Sequence, residues 1–355
     1  MNTLPTAPGV PAAPQDRFLL PMMFNGLVVE STTRCNAKCG MCYQGAGPKG
    51  SDYLGDAALG VDEIRRAMDQ ARPLPSLNKR FHLAGGEAFI AVDDCVELFS
   101  HASATGWTDV SCTTNAYWAA DMMKARRLAA RLRDAGLLRA EISWDYWHGP
   151  HIPPQAINNA LQALAANDVD VTLRILTTRT HSFEEALAML SPAALARVPV
   201  VSSAPVYQVG RGLGMSDDDI YPGDPDAACH SGLNLTINAR GDVFPCCAGL
   251  DQTRALFGNI RERSLADIAE DINRSLLVRL VVFEGINALR PILRLLGESI
   301  RDEYSSICSM CFDVFSDTAR VDRLMRFFAD LEADALREAL QAQAALPAAL
   351  EGVPA

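Results

Sequence analysis

Three cysteines at C-x3-C-x2-C spacing, Cys35, Cys39 and Cys42, follow directly on the apolar run Leu27–Val29, and more than fifty residues pass before the next cysteine. A loop this short can wrap one metal cluster, with Gly40 allowing a tight backbone approach. A structural zinc site normally closes with four ligands, and the nearest histidine, His82, falls on a different expected element. Three thiolates can instead hold three irons of a [4Fe-4S] cluster and leave the fourth iron open to a small ligand. The chain is therefore expected to carry an open cluster loop at the end of its first strand.

Around that loop the sequence alternates β-branched runs with amphipathic stretches. Strands are expected near Leu27–Glu30, Arg80–Ala84, Asp109–Thr113, Leu138–Ser143, Val169–Leu176 and Val198–Val206. Helices are expected near Val61–Arg72, Val92–Ala104, Ala119–Ala135, Pro154–Asn167 and Phe183–Leu190, where apolar residues recur at three and four residue spacings. Such repetition implies an α/β chain with a parallel sheet, right-handed crossovers and a site at the C-terminal ends of the strands.

Beyond Gly210 the alternation stops and the cysteines return as Cys229, Cys246, Cys308 and Cys311. Leu233–Ile237 and Val243–Phe244 read as a hairpin around Asn238–Gly241, Ser264–Tyr304 as a long helical region, and Cys308–Cys311 as a C-x2-C turn. The expected units are a flexible lead-in (1–23), a barrel (24–212), an auxiliary cysteine domain (213–316) and a C-terminal helix and tail (317–355). Cys247 is an alternative to Cys246 as a ligand, whereas Cys95 and Cys112 fit small buried hydrophobes.

Composition narrows the class. At 355 residues, 49% hydrophobic and 21% charged, the chain is an ordinary soluble globular type, large enough for two domains. A net charge of -11 argues against nucleic acid, which requires many Lys and Arg. Apolar stretches are broken by charges too early to span a membrane. Met1–Asp16 has four prolines and no basic residue, unlike a signal peptide. Ten cysteines without such a signal point to metal binding in a reducing cytoplasm.

The first cysteine motif closely resembles that of radical S-adenosylmethionine (SAM) enzymes, and six strands match that family's partial (β/α)6 TIM-like barrel. The second set resembles the family's auxiliary-cluster extension, SPASM, in its shortened twitch form of β-hairpin plus helix. Its pattern C-x(9-15)-G-x4-C is followed by Leu256–Ile260 and the Ser264-Leu265 helix start. The resemblance implies SAM and two [4Fe-4S] clusters, one SAM-binding on Cys35, Cys39 and Cys42 and one auxiliary on Cys229, Cys246, Cys308 and Cys311. Four-cysteine zinc is the alternative at the second site.

Ala84-Gly85-Gly86-Glu87 resembles the family's GGE motif, with Ala88 in place of the usual proline, and Glu87 is expected to accept from SAM's ammonium. Thr114-Asn115 resembles its T-N-G pattern with Ala116 for glycine, and Ser143 stands where the family places ribose contacts. Arg174 suits SAM's carboxylate or a barrel-wall ion pair, and Met41 and Tyr43 flank the adenine position. Asp145 and His148 are candidate catalytic groups at the barrel mouth, where a histidine can take a proton during oxidation of a substrate radical. Gly210-Arg211-Gly212 is a turn whose arginine can meet an anion.

The function implied is generation of a 5'-deoxyadenosyl radical for oxidative modification, foremost of a ribosomally made precursor peptide through a thioether or carbon-carbon crosslink. Dehydrogenation of a small-molecule alcohol or aminosugar is the alternative enzymatic reading. An iron-sulfur electron carrier or structural zinc protein is the non-enzymatic one. Expected partners are the substrate, an electron donor such as flavodoxin or ferredoxin, and a separate leader-binding protein, since no leader-binding domain precedes residue 24.

Overall fold

The computed structural model describes residues 21–345 except 225, 227–228, 230–232, 247–249 and 251–252. Most of the expected lead-in, the alternative ligand Cys247 and the tail beyond 345 lie outside the described residues.

The alternating pattern folds into β1 (Leu27–Glu30), α1 (Val61–Ala71), β2 (Arg80–Ala84), α2 (Val92–Thr105), β3 (Asp109–Thr114), α3 (Met122–Asp134), β4 (Arg139–Ser143), α4 (Pro154–Ala165), β5 (Asp170–Thr177), α5 (Phe183–Ala188), α6 (Pro192–Leu195) and β6 (Val200–Pro205). Side-chain caps start several helices: Asp121 accepts from the Lys124 N–H at α3, and Ser182 forms a capping box with Glu185 at α5. One face of each inner strand is buried under these helices, through Leu27, Val29, Phe81, Leu83, Val110, Ile142, Val171 and Leu173. The other face carries polar residues, so the strands alternate where parallel strands covered on both sides would be continuously apolar. The sheet thus encloses a polar lumen.

The sheet has eight strands in the order β6-β5-β4-β3-β2-β1-β7-β8, with β7 at Leu235–Ile237 and β8 at Val243–Phe244. The first six are parallel, and the sheet ends at β6 and β8, so it stays open and no ladder joins β6 to β1. The expected hairpin forms around Asn238–Gly241, where the Gly241 N–H donates to the Asn238 carbonyl at 2.8 Å. It also joins the barrel sheet: β7 runs parallel to β1, pairing Leu27 with Leu235 and Val29 with Ile237.

Among the described residues five α-helices follow: α7 (Leu265–Arg274), α8 (Leu276–Glu284), α9 (Leu289–Leu295), α10 (Ile307–Ser316) and α11 (Thr318–Ala345). The long helical region expected over Ser264–Tyr304 is broken because Ser275 ends α7 and caps α8, and Gly285 ends α8. The C-x2-C segment is helix rather than turn. Ser306 caps α10 by accepting the Ser309 N–H at 3.1 Å, placing Cys308 and Cys311 in its first turns. A second core of Leu277, Leu289, Leu293, Met310, Val314 and Leu324 unites α8 to α11, while α7 packs into the main core through Leu265, Ile268 and Ile272. Among the described residues no helix is long and apolar enough to cross a membrane.

Candidate active site

A cavity of about 780 Å3 fills the lumen from the cluster loop down to Arg80, and it gathers Cys35, Cys39, Met41, Cys42, Tyr43, Gly85, Gly86, Glu87, Asn115, Ser143, Asp145, His148 and Arg174 on one surface. Every expected barrel-site residue therefore meets in one place. Its volume is within the usual range for small-molecule sites.

The three loop thiols fit an iron cluster by their chemistry. Cys35 and Cys39 are buried, and burial pushes the Cys35 thiol up to about 12. Such a thiol stays protonated near neutrality unless a metal replaces the proton. Two donors already point at its sulfur, the Ala37 N–H at 3.4 Å and Asn115 Nδ2 at 3.5 Å. Among the described residues no three His, Cys, Asp or Glu side chains converge closely enough to hold a single metal ion.

Gly85 and Gly86 seat this loop. A Cβ on Gly86 would lie 2.2 Å from the Arg34 carbonyl oxygen, and one on Gly85, at φ +141°, would lie 2.9 Å from the Thr32 carbonyl oxygen. The two glycines admit the chain's own backbone, which is locked there by Gly86 N–H to Thr32 O at 2.6 Å and Glu87 N–H to Arg34 O at 2.9 Å. Gly40 needs no such freedom, because a Cβ there would meet Trp147 at an ordinary 3.6 Å.

Glu87 is buried, and its carboxylate accepts from Thr114 Oγ1 at 2.7 Å, the Asn115 N–H at 2.7 Å and the Phe89 N–H at 3.2 Å. Burial raises its pKa to about 7 against the lowering effect of these bonds. Ala116 sits at φ +59°, the left-handed region, which explains why a glycine suits the third place of the T-N-G pattern.

His148 lines the cavity with Nδ1 held 2.8 Å from Asp145 Oδ1, which also accepts the Trp147 and His148 N–H groups. Burial pushes its pKa down, but the Asp145 charge and hydrogen bond and a bond with the Cys39 side chain together hold it well above the ordinary value. The ring is committed to the cluster loop as well as to the cavity. Tyr43 donates its hydroxyl to Glu30 at 3.0 Å, and Met41 is buried beside Cys35 and Cys39. Arg174 pairs with Glu141 at 3.1 Å and donates to Ser202 at 2.9 Å, which is the barrel-wall arrangement.

The lumen holds groups not singled out in the sequence. His82 bridges Ser111 and Thr113 at 2.9 and 3.0 Å, Arg80 and Arg139 share Asp109, and Tyr207 lines the wall after β6. Their signal was period-two polarity within the strands. The Tyr207 phenol is pushed up by burial and then by Cys308 and Cys229, so it stands between the lumen and the second cysteine set.

Cys229, Cys246, Cys308 and Cys311 line one small cavity of about 80 Å3 whose other walls include Phe244, Leu256, Phe257 and Val281. Burial raises Cys311 well above its ordinary value. Four thiols facing an apolar void fit a fully ligated metal centre, which would replace their protons. Cys95 and Cys112 lie apart from it in the main core, where burial likewise raises both thiols.

Comparison with known proteins agrees with this geometry. Residues 29–207 match the Radical SAM superfamily, and residues 229–312 match the SPASM iron-sulfur cluster-binding domain. Among solved structures, native anSMEcpe with bound AdoMet is 14% identical and covers 86% of this chain and 99% of its own, with a TM-score of 0.51. Coproporphyrinogen III oxidase (HemN) from Escherichia coli is 13% identical and covers 58% of this chain and 50% of its own, with a TM-score of 0.39. A search of curated proteins finds no match. With the family model spanning half of its length, the chain belongs to the Radical SAM superfamily and carries a SPASM iron-sulfur cluster-binding domain.

Proposed function

We propose that the chain is a radical SAM oxidoreductase acting as a maturase, which oxidises a ribosomally made precursor peptide at a side chain or α-carbon to form a thioether or carbon-carbon crosslink. The observation that carries the oxidative part is the presence of two unlike thiol sets in one chain. Three line the lumen cavity in the loop after β1, and four line a smaller apolar one between the β7–β8 hairpin and α10.

When bound, SAM and its cluster supply hydrogen-atom abstraction through a 5'-deoxyadenosyl radical. In our reading Cys35, Cys39 and Cys42 hold that cluster, while Gly85, Gly86, Glu87 and Asn115 shape the place of SAM's methionine part. Met41 and Tyr43 border the adenine, Ser143 and Arg174 offer polar contacts below it, and Asp145 and His148 hold a proton beside the loop. Cys229, Cys246, Cys308 and Cys311 would hold a second [4Fe-4S] cluster, which would supply an electron acceptor for the oxidation. A flavodoxin or ferredoxin supplies the reducing electron, a separate protein binds the leader, and the enzyme works in the cytoplasm.

A second reading rests on the lumen itself. Arg174 with Glu141, Arg139 with Asp109, and His82 make a wall of fixed polar groups suited to a compact alcohol or aminosugar. The test is anaerobic turnover with SAM, reductant and deuterated candidates of both classes. Deuterium in 5'-deoxyadenosine together with a peptide lighter by two hydrogens supports the first reading, and the same result from the small molecule alone replaces it with the second.

A further inference from the structure

The turn after β6 does more than change direction. Arg211 is largely buried, and its guanidinium donates Nε to the Cys39 carbonyl at 2.8 Å, Nη2 to the Ala46 carbonyl at 2.6 Å and Nη1 to Asp52 Oδ2 at 2.8 Å. Its backbone N–H donates to the Cys42 carbonyl at 3.0 Å. One residue thus ties two of the three loop cysteines and both flanks of Cys42.

The neighbouring glycine makes the approach possible. Gly210 has φ +58°, and a Cβ there would lie 2.1 Å from the Tyr43 carbonyl oxygen. The topology gives this contact its place: β6 is one edge of the sheet and β8 the other, and no ladder pairs β6 with β1. The cluster loop follows β1 and Arg211 follows β6, and their bonds join two segments that the strands do not connect directly.

We infer that Arg211 is a positioning residue for the SAM-binding cluster, which clamps the cysteine loop after β1 to the turn after β6 and sets a cation beside its thiolates. The inference rests on Cys35, Cys39 and Cys42 being the cluster ligands. The planar fork matters because two carbonyls and a carboxylate are met in fixed directions, which an ammonium cannot reproduce. The charge matters separately, since a cation beside an anionic cluster favours its reduced, more negative state. Asp52 offsets part of that charge.

The test uses full-length Arg211→Gln, Arg211→Lys and Asp52→Asn, each also in a Cys308→Ala/Cys311→Ala background so that one cluster is observed. Readouts are the rate of iron loss to a chelator and the midpoint potential followed by electron paramagnetic resonance. Arg211→Gln should release iron roughly tenfold faster, as expected for losing charge-assisted bonds, and show a lower potential. Arg211→Lys should recover the potential but not the chelator resistance, the split that a purely structural arginine would not give. Asp52→Asn should raise the potential and loosen the loop modestly, and it carries the test if Arg211→Gln does not fold. Wild-type values for both readouts in a folded Arg211→Gln, or failing that in Asp52→Asn, overturn the proposal. A wild-type protein whose cluster signal does not respond to SAM would instead remove the ligand assignment, and the proposal with it.

Discussion

Glu87 and Cys35 are joined through a single residue: Asn115 donates its backbone N–H to Glu87 Oε2 at 2.7 Å and its side-chain amide to Cys35 Sγ at 3.5 Å. A carboxylate at the end of β2 therefore sets the orientation of a donor aimed at a cluster-loop sulfur. Any change at Glu87 should be felt in two places, the SAM pocket and the loop.

Glu87→Gln is expected to weaken SAM binding roughly tenfold, since a hydrogen bond to a charged group is worth about 1.5–3 kcal/mol. Both clusters should still assemble because no ligand is lost. Equilibrium binding of SAM checks this, and unchanged affinity would count against the assignment.

The same residue predicts a pH dependence. With a folded pKa of about 7 against an ordinary 4.5, Glu87 binds its proton more tightly in the folded chain than in the unfolded one. Its contribution to the cluster-free protein thus falls as pH rises from about 4.5 to about 7 and is level above that, a loss on the order of 3 kcal/mol. Urea unfolding at pH 5 and pH 8 should show a steeper fall in wild type than in Glu87→Gln; parallel slopes would refute it.

Gly86→Ala and Gly40→Ala should behave oppositely. The first forces a methyl into the Arg34 carbonyl at 2.2 Å, while the second places one at 3.6 Å from Trp147. Overpacking of this kind costs about 1–3 kcal/mol or more, so Gly86→Ala should melt lower and bind less iron. Gly40→Ala should remain close to wild type in both measurements.

Replacing Cys35, Cys39 and Cys42 together by alanine should abolish reductive SAM cleavage and lower iron content without removing it, because the four auxiliary thiols remain. Reductant-dependent 5'-deoxyadenosine from this variant would sink the ligand assignment.

Cys308→Ala/Cys311→Ala should show the complementary loss. SAM cleavage persists in our reading while oxidised product fails to accumulate. A folded variant without the second cluster that forms product at the wild-type rate would leave that centre a structural role only.

Much of this was legible because the sequence states it locally. Strand and helix periods placed β1 to β6 and α1 to α5 with ends shifted by three residues at most, and the motifs at strand ends converged as a parallel barrel requires. What escaped was non-local. Nothing near Leu235 shows that it will pair with Leu27, two hundred residues away. Arg211 reads as a turn because two of its three side-chain acceptors are carbonyls, which any residue can supply, and the third, Asp52, lies far off in sequence. C-x2-C spacing serves a turn or a helix equally, and the Ser306 cap decided between them. His82 and Glu141 were hidden in strand alternation read for its apolar half.

The shared ladder between β1 and β7 also governs how the molecule can move and come apart. Strands β1 and β7 lie one hydrogen-bonded spacing apart, about 4.8 Å, so the hairpin that leads to Cys246 cannot swing away from the barrel without tearing the sheet. Thermal or chemical unfolding should take barrel and hairpin in one cooperative step. Cutting the chain after the barrel would not free an independent module: it would strip β1 of its neighbour and leave a raw edge prone to pairing with other chains.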